Sequence, residues 1–251
     1  MNTSFLIKPT IVLAATAFIS AFLLSHVDAI TKPNIEAQKI ENEKAALSIV
    51  LPEYKVGSEQ TATVNGKPFR YWIGEKQPLV EQPAVNFSQE TETAKAYAFI
   101  SSGLGYSGYI TLMAGVDEAG SILGISVINQ AETPGLGARC VEVASTRTLW
   151  DALGESSSTE EKMRPWFQEQ FVGLTSEKKI LIEKLGDWTP EKSESLKEKN
   201  AITAITGATI TGRGIIEAIE KGSEALKRVL AEQSKVTVAN EQSENVTEAQ
   251  Q

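Results

Sequence analysis

Residues 10–24, TIVLAATAFISAFLL, carry no charge and are almost wholly apolar. Extended to about residue 27, the run reaches the lower length limit for a helix that crosses a bilayer. It divides the chain before anything else is considered, because whatever follows it must fold as a unit of its own. Two readings fit. One is a cleaved signal peptide, with Lys8 as a thin basic region and Val27-Asp28-Ala29 as a small-residue cleavage site. The other is a retained anchor over residues 1–29 with a short cytoplasmic N-terminus, which Lys8 favours. The anchor is the reading adopted, and both readings place residue 30 onward across the membrane.

Residues 34–49, NIEAQKIENEKAALSI, alternate Glu and Lys at helical spacing above a thin apolar stripe. This predicts a helical stalk within 30–56, ended by Pro52, which cannot continue a helix. The remainder has the size and balance of one globular domain, with 41% hydrophobic and 22% charged residues overall. A net charge of −8 offers no basic excess for nucleic acid or anionic lipid, so neither is expected as a partner. One Cys and one His exclude an internal disulfide and a Cys/His metal site, and no metal is expected. Cys140 reads as a small buried hydrophobe. His26 closes the apolar run and reads as interfacial, which leaves no His for a Ser-His-Asp triad.

Alternating patterns predict two strands around an Asn65-Gly66 turn, within 61–74, and three more at 94–102, 108–116 and 122–130. Asp117, Glu118 and Gly120 supply the last turn. Residues 159–171 are expected to be helical, with Trp166 and Phe167 in the core. Residues 215–232 are the clearest helix, with Ile215, Ile219, Leu226 and Leu230 on one face. The folded domain is therefore placed at 57–233. The Glu- and Gln-rich stretch 234–251 has no packing pattern and reads as disordered.

Three glycine-bearing motifs remain. Gly103-Leu104-Gly105-Tyr106-Ser107-Gly108 satisfies GxGxxG, but strand-like YITLMAGV follows it where a dinucleotide site needs a helix. It reads as a hairpin connection. In ETPGLG (132–137), Pro134-Gly135 suits the centre of a type II turn, which can end a strand or leave N–H groups free for a ligand. Thr206-Gly207-Ala208-Thr209 places two hydroxyls beside two minimal side chains, just before a helix. Thr211 is expected to cap that helix, whose first turn would favour a phosphate, with Arg213 adding charge. A plain capping loop fits the same residues.

TGAT at 206–209, ETPGLG at 132–137, the apolar N-terminal segment and the TKPNIE stretch behind it occur here in the order of one known family. The chain resembles the flavin-binding domain of the G subunit of the bacterial Rnf electron-transport complex. The C subunit of the sodium-pumping NADH:quinone reductase shares that domain. The resemblance implies an α+β fold: an N-terminal transmembrane helix, then one extracytoplasmic FMN-binding domain with an antiparallel sheet and packed helices. It implies FMN bound covalently, through its phosphate, to Thr209 by a separate flavin transferase using FAD. Gly207 and Ala208 would give clearance, Thr206 a nearby hydroxyl, and Glu132, Thr133, Pro134, Gly135, Leu136 and Gly137 a turn against the flavin. Tyr106, Tyr109 and Trp188 are aromatic candidates for the ring. No side chain need act as acid or base. The partners implied are the other membrane subunits of a complex coupling electron flow, as between ferredoxin and NAD⁺, to ion movement.

One position departs from the family pattern. An Asp usually stands six residues before the modified Thr, where this chain has Thr203. That departure keeps open a flavin-free assembly module. A membrane-tethered regulatory flavin domain is the other alternative.

Overall fold

The computed structural model describes residues 3–76, 94–143, 165–184 and 189–248. Two compact units divide the chain, Met1–Ala45 and Ala46–Gln251. The first is helical throughout its described length, as part of helix α1 (Thr3–Val50). Its apolar side chains, among them Leu13, Phe18, Phe22 and Leu24, are exposed, and the segment is long and apolar enough to cross a membrane. Pro9 and Pro33 sit within α1, and the helix ends two residues before Pro52.

The second unit is built on an antiparallel sheet. Its strands are β1 (Tyr54–Val56), β2 (Gln60–Val64), β3 (Lys67–Lys76), β4 (Lys95–Leu104), β5 (Tyr109–Asp117) and β6 (Ile122–Asn129), in the order β1-β3-β4-β5-β6. β2 also pairs with β3, along Lys67–Tyr71, while β1 takes Gly74–Lys76. Asn65 (φ 53) and Gly66 (φ 74) make the two-residue hairpin turn whose positive φ values match strand twist. The predicted strands at 94–102, 108–116 and 122–130 correspond to β4, β5 and β6.

Side-chain alternation along these strands serves two cores rather than one. Phe99, Ile110, Leu112, Ala114 and Val116 face the larger core. Ala96, Ala98 and Met113 face a smaller one with Trp72 and the last turn of α1, Ala46 and Val50. Gly115 permits the smaller contact, since a Cβ there would lie 2.5 Å from the Val50 carbonyl oxygen.

The larger core is closed by helix α4 (Thr209–Glu248). Ile215, Ile219 and Leu226 are buried and Leu230 is half-buried, on the face read from the sequence. The helix runs past residue 233 to Glu248, through the stretch whose composition pointed to disorder. Its buried core residues end at Val229, so the remainder is a helix without a core-facing stripe among the residues whose burial is described.

Between β6 and α4 lie a 3-10 helix (Gly137–Val141), α2 (Trp166–Glu169), β7 (Leu181–Glu183), α3 (Pro190–Glu198) and β8 (Ala201–Thr203). The helix expected at 159–171 begins at Trp166, because Pro165 is extended (ψ 129) and interrupts the backbone hydrogen-bond pattern. Residues 159–164 lie outside the described residues. Phe167 is fully buried and Trp166 stacks edge-on against it. β7 and β8 pair in parallel, with α3 between them.

Asn200 ends α3 in the left-handed region (φ 51), the usual device for stopping a helix. Its side chain accepts from Thr175 N–H (2.9 Å) and donates to the carbonyls of Thr175, Lys178 and Lys179. Asn200→Ala is expected to cost about 2 kcal/mol or more, combining lost buried hydrogen bonds with left-handed strain. Asn200→Gly should cost less, because it loses the bonds without the strain. Urea unfolding measures both, and equal losses would remove the backbone part of the account.

Candidate functional site

Two glycine turns of the same build face each other. Thr133–Leu136 is closed by Leu136 N–H donating to Thr133 C=O (3.1 Å), with Gly135 at φ 75. Ile205–Ala208 is closed by Ala208 N–H donating to Ile205 C=O (2.9 Å), with Gly207 at φ 79. Positive φ at the third position is what a type II turn requires and what glycine supplies without strain. A Cβ on Gly207 would lie 3.1 Å from Leu136 Cδ2, so the two turns meet closely.

Between them lies a cavity of about 290 Å³. Tyr106, Glu132, Thr133, Leu136, Gly137, Gly207, Ala208, Thr209, Ile210 and Thr211 line it. This is near the lower end of the roughly 300–1,000 Å³ typical of ligand clefts. Tyr106, Leu136 and Ile210 give it exposed apolar edges. Thr209 opens α4 on its wall, half-buried, and its hydroxyl makes no hydrogen bond among the described residues. The first turn of a helix also carries N–H groups with no intrahelical acceptor.

The cavity gathers seven of the ten residues expected from the sequence: Thr209, Gly207, Ala208, Glu132, Thr133, Leu136 and Gly137. Thr206, Pro134 and Gly135 are exposed and lie outside its lining. Tyr106 lines the cavity, Tyr109 is exposed outside it, and Trp188 falls outside the described residues. Arg213 is exposed and does not line it.

Thr211 is not the helix cap. Ala208 occupies that place, its carbonyl accepting from Gly212 N–H, and α4 begins at Thr209. The Gly207 turn starts the helix earlier than composition suggests. The Thr211 hydroxyl, fully buried, instead donates to Glu132 Oε2. Glu132 is itself only 6% exposed, and its Oε1 accepts from Ser107 N–H (3.0 Å). Sequence reasoning missed this link and Ile210's place on the wall.

The GxGxxG segment joins β4 to β5 as a hairpin, closed by Gly105 N–H to Gly108 C=O (2.8 Å). Cys140 is buried, and burial pushes its thiol up to about 11, with the Glu132 carboxylate adding to the rise. Thr203 is wholly buried on β8, its N–H donating to Gln170 Oε1 (2.7 Å). Among the described residues, both the Thr203 hydroxyl and the Gln170 amide nitrogen lack partners.

Residues 105–224 match the FMN-binding domain family, a span holding the hairpin loop, both turns and the start of α4. That stretch is thus similar to an FMN-binding domain. Over most of its length it is similar to the G subunits of ion-translocating oxidoreductase complexes. It is 24% identical over 219 residues to the one from Pasteurella multocida, covering 86% of this chain and 91% of the relative. It is 25% identical over 214 residues to that of Aliivibrio fischeri (85% and 87%). It is also 24% identical over 214 residues to the G subunit of the Na(+)-translocating ferredoxin:NAD(+) oxidoreductase complex of Acetobacterium woodii (84% and 87%). Among solved structures, the C subunit of the Na(+)-translocating NADH-quinone reductase of Parabacteroides distasonis aligns over 75% of this chain and 91% of its own. The TM-score is 0.44 at 17% identity. The apolar helix and these relatives support a membrane location.

Proposed function

We propose that this chain is an electron-transfer subunit of a membrane-bound, ion-translocating oxidoreductase complex of the ferredoxin:NAD type. It carries FMN on Thr209 through a phosphoester. The carrying observation is that residues of TGAT and ETPGLG, far apart in sequence, line one cavity, Thr209 among them. The residues suit the group: apolar edges for a flat ring, free N–H groups at a helix start for a phosphate, and an uncommitted hydroxyl. The domain belongs on the extracytoplasmic side, where covalent attachment prevents loss of a cofactor that cannot be replaced. Its partners are the other membrane proteins of the complex and, during maturation, a flavin transferase. In that maturation the Thr209 oxygen takes the flavin phosphoryl group from FAD, the hydroxyl proton is lost and AMP leaves.

When bound, flavin supplies one- or two-electron transfer, and the protein supplies attachment, orientation and electrostatics. Leu136 and Gly207 hold the two turns together, α4 fixes Thr209, and Tyr106 and Ile210 limit water at the edges. The test is co-production with a flavin transferase, followed by mass spectrometry of the tryptic peptide Asn200–Arg213. A peptide carrying FMN at Thr209 supports the reading. An unmodified peptide, with the transferase active on another substrate, removes it and favours the flavin-free assembly module.

Thr203 bears on how fully the site loads. Thr203→Asp would introduce a carboxylate at the position whose backbone N–H bonds the Gln170 side chain, and restore the family's usual residue. The expected result is a higher flavin-to-protein ratio, read by absorbance. A wild-type ratio that is already stoichiometric and unchanged in the variant would sink the idea.

A further inference from the structure

We infer that the Glu132 carboxylate sets the reduction potential of the flavin in this cavity, holding it low by one fixed negative charge in the wall. The inference rests on the reading that flavin occupies the cavity. Among the described residues, Glu132 is the only charged one in the lining, and no cation in that lining offsets it. Arg139, close in sequence, pairs instead with Glu142 and lies over the Trp166 ring. The two donors to Glu132, Ser107 N–H and Thr211 O–H, are neutral. They point at separate oxygens.

The surroundings are cleared for this group. A Cβ on Gly105 would lie 2.4 Å from Glu132 Oε1, and one on Gly137 would lie 2.4 Å from Oε2. One glycine comes from the GxGxxG segment and the other from ETPGLG, so both motifs make room for the same side chain. Its backbone is fixed as well, with Glu132 N–H donating to Gln130 Oε1 (2.6 Å). The charge is felt at a second group, the Cys140 thiol, which it helps to push up.

Reduction adds negative charge to a flavin, and a nearby fixed anion in a partly desolvated wall opposes it. Glu132→Gln removes the charge and keeps the shape. Its Oε1 can accept from Ser107 N–H while its Nε2 donates to the Thr211 hydroxyl, which turns from donor to acceptor. Thr211→Val is the converse change, removing a hydrogen bond and leaving the charge.

The experiment is a redox titration of flavin absorbance in the full-length, flavin-loaded protein, for wild type and both variants. Glu132→Gln is expected to make one-electron reduction about tenfold more favourable, a rise of about 59 mV. Thr211→Val should leave the potential unchanged or lower it. Melting temperatures of the three proteins show whether the fold is kept. An unchanged potential in Glu132→Gln overturns the inference, as does an equal rise in Thr211→Val, which would trace the effect to geometry. Complete loss of flavin from Glu132→Gln alone also overturns it, making Glu132 a holding residue. Flavin missing from the wild type overturns the inference together with the reading beneath it.

Discussion

Thr209→Ala is expected to fold like the wild type and to lose all flavin that survives denaturation. The two halves of that result have separate physical grounds. Thr209 is half-buried at the first position of α4, and its hydroxyl serves no other residue among those described. Alanine is the best helix former, so the substitution should shift stability by no more than about 0.5 kcal/mol. A phosphoester needs an oxygen nucleophile, and alanine has none. In-gel flavin fluorescence after co-production with a transferase would therefore fall from a clear band to background. Thr206→Ala is the matched control: Thr206 is exposed and outside the cavity lining, so its band should persist. Fluorescence retained by Thr209→Ala would place the bond on another residue of the loop and overturn the assignment.

How far the sequence could be read depends on the range of each signal. The hairpin at Asn65-Gly66 is local, because only certain residues accept positive φ at both turn positions. The buried face of α4 is local too, following from the spacing of Ile215, Ile219 and Leu226. β7 and β8 have three residues each, too few for any periodicity to register. The division of strand faces between two cores depends on the end of α1 packing against Met113 and Trp72, which no single strand announces. At the site, the Pro134-Gly135 turn was legible from its residues, whereas the Ile205–Ala208 turn was read only as a capping loop. Their meeting was suggested by family resemblance and not by the residues themselves. The Glu132–Thr211 bond joins positions 79 apart, and nothing local to Thr211 separates a cap from a donor to a distant carboxylate. Thr206, Pro134 and Gly135 fell outside the lining for a related reason. A motif identifies a turn, but only the packed structure decides which side of the turn faces inward.

Gly214→Ala carries a large expected loss of stability, and its sign is diagnostic. In an exposed helix the change would gain about 1 kcal/mol from propensity. Here a Cβ on Gly214 would stand 2.6 Å from the Leu104 carbonyl oxygen and 3.1 Å from Gly105 N. The facing position is no freer, since a Cβ on Gly103 would stand 1.9 Å from the Gly214 carbonyl oxygen. Both obstacles are backbone, which cannot rotate away as a side chain can, and neither glycine has a positive φ. The cost is thus one of packing, and α4 must lift from β4 to admit a methyl group. Overpacking of this kind costs about 3 kcal/mol, lowering the melting temperature by roughly 6–12 °C in a domain of this size. Gly103→Ala should do at least as much. Gly108→Ala, in the same hairpin loop, would meet nothing nearer than 3.9 Å and should melt close to wild type. The consequence reaches the site, because Thr209 and Thr211 ride on the turn of α4 just ahead of Gly214. Lifting the helix would separate Thr211 from Glu132 and widen the gap between the two turns, so flavin loading should fall with stability. Calorimetry of the unloaded protein isolates the packing effect. A Gly214→Ala protein melting at or above the wild type would mean that α4 does not sit this close to the sheet.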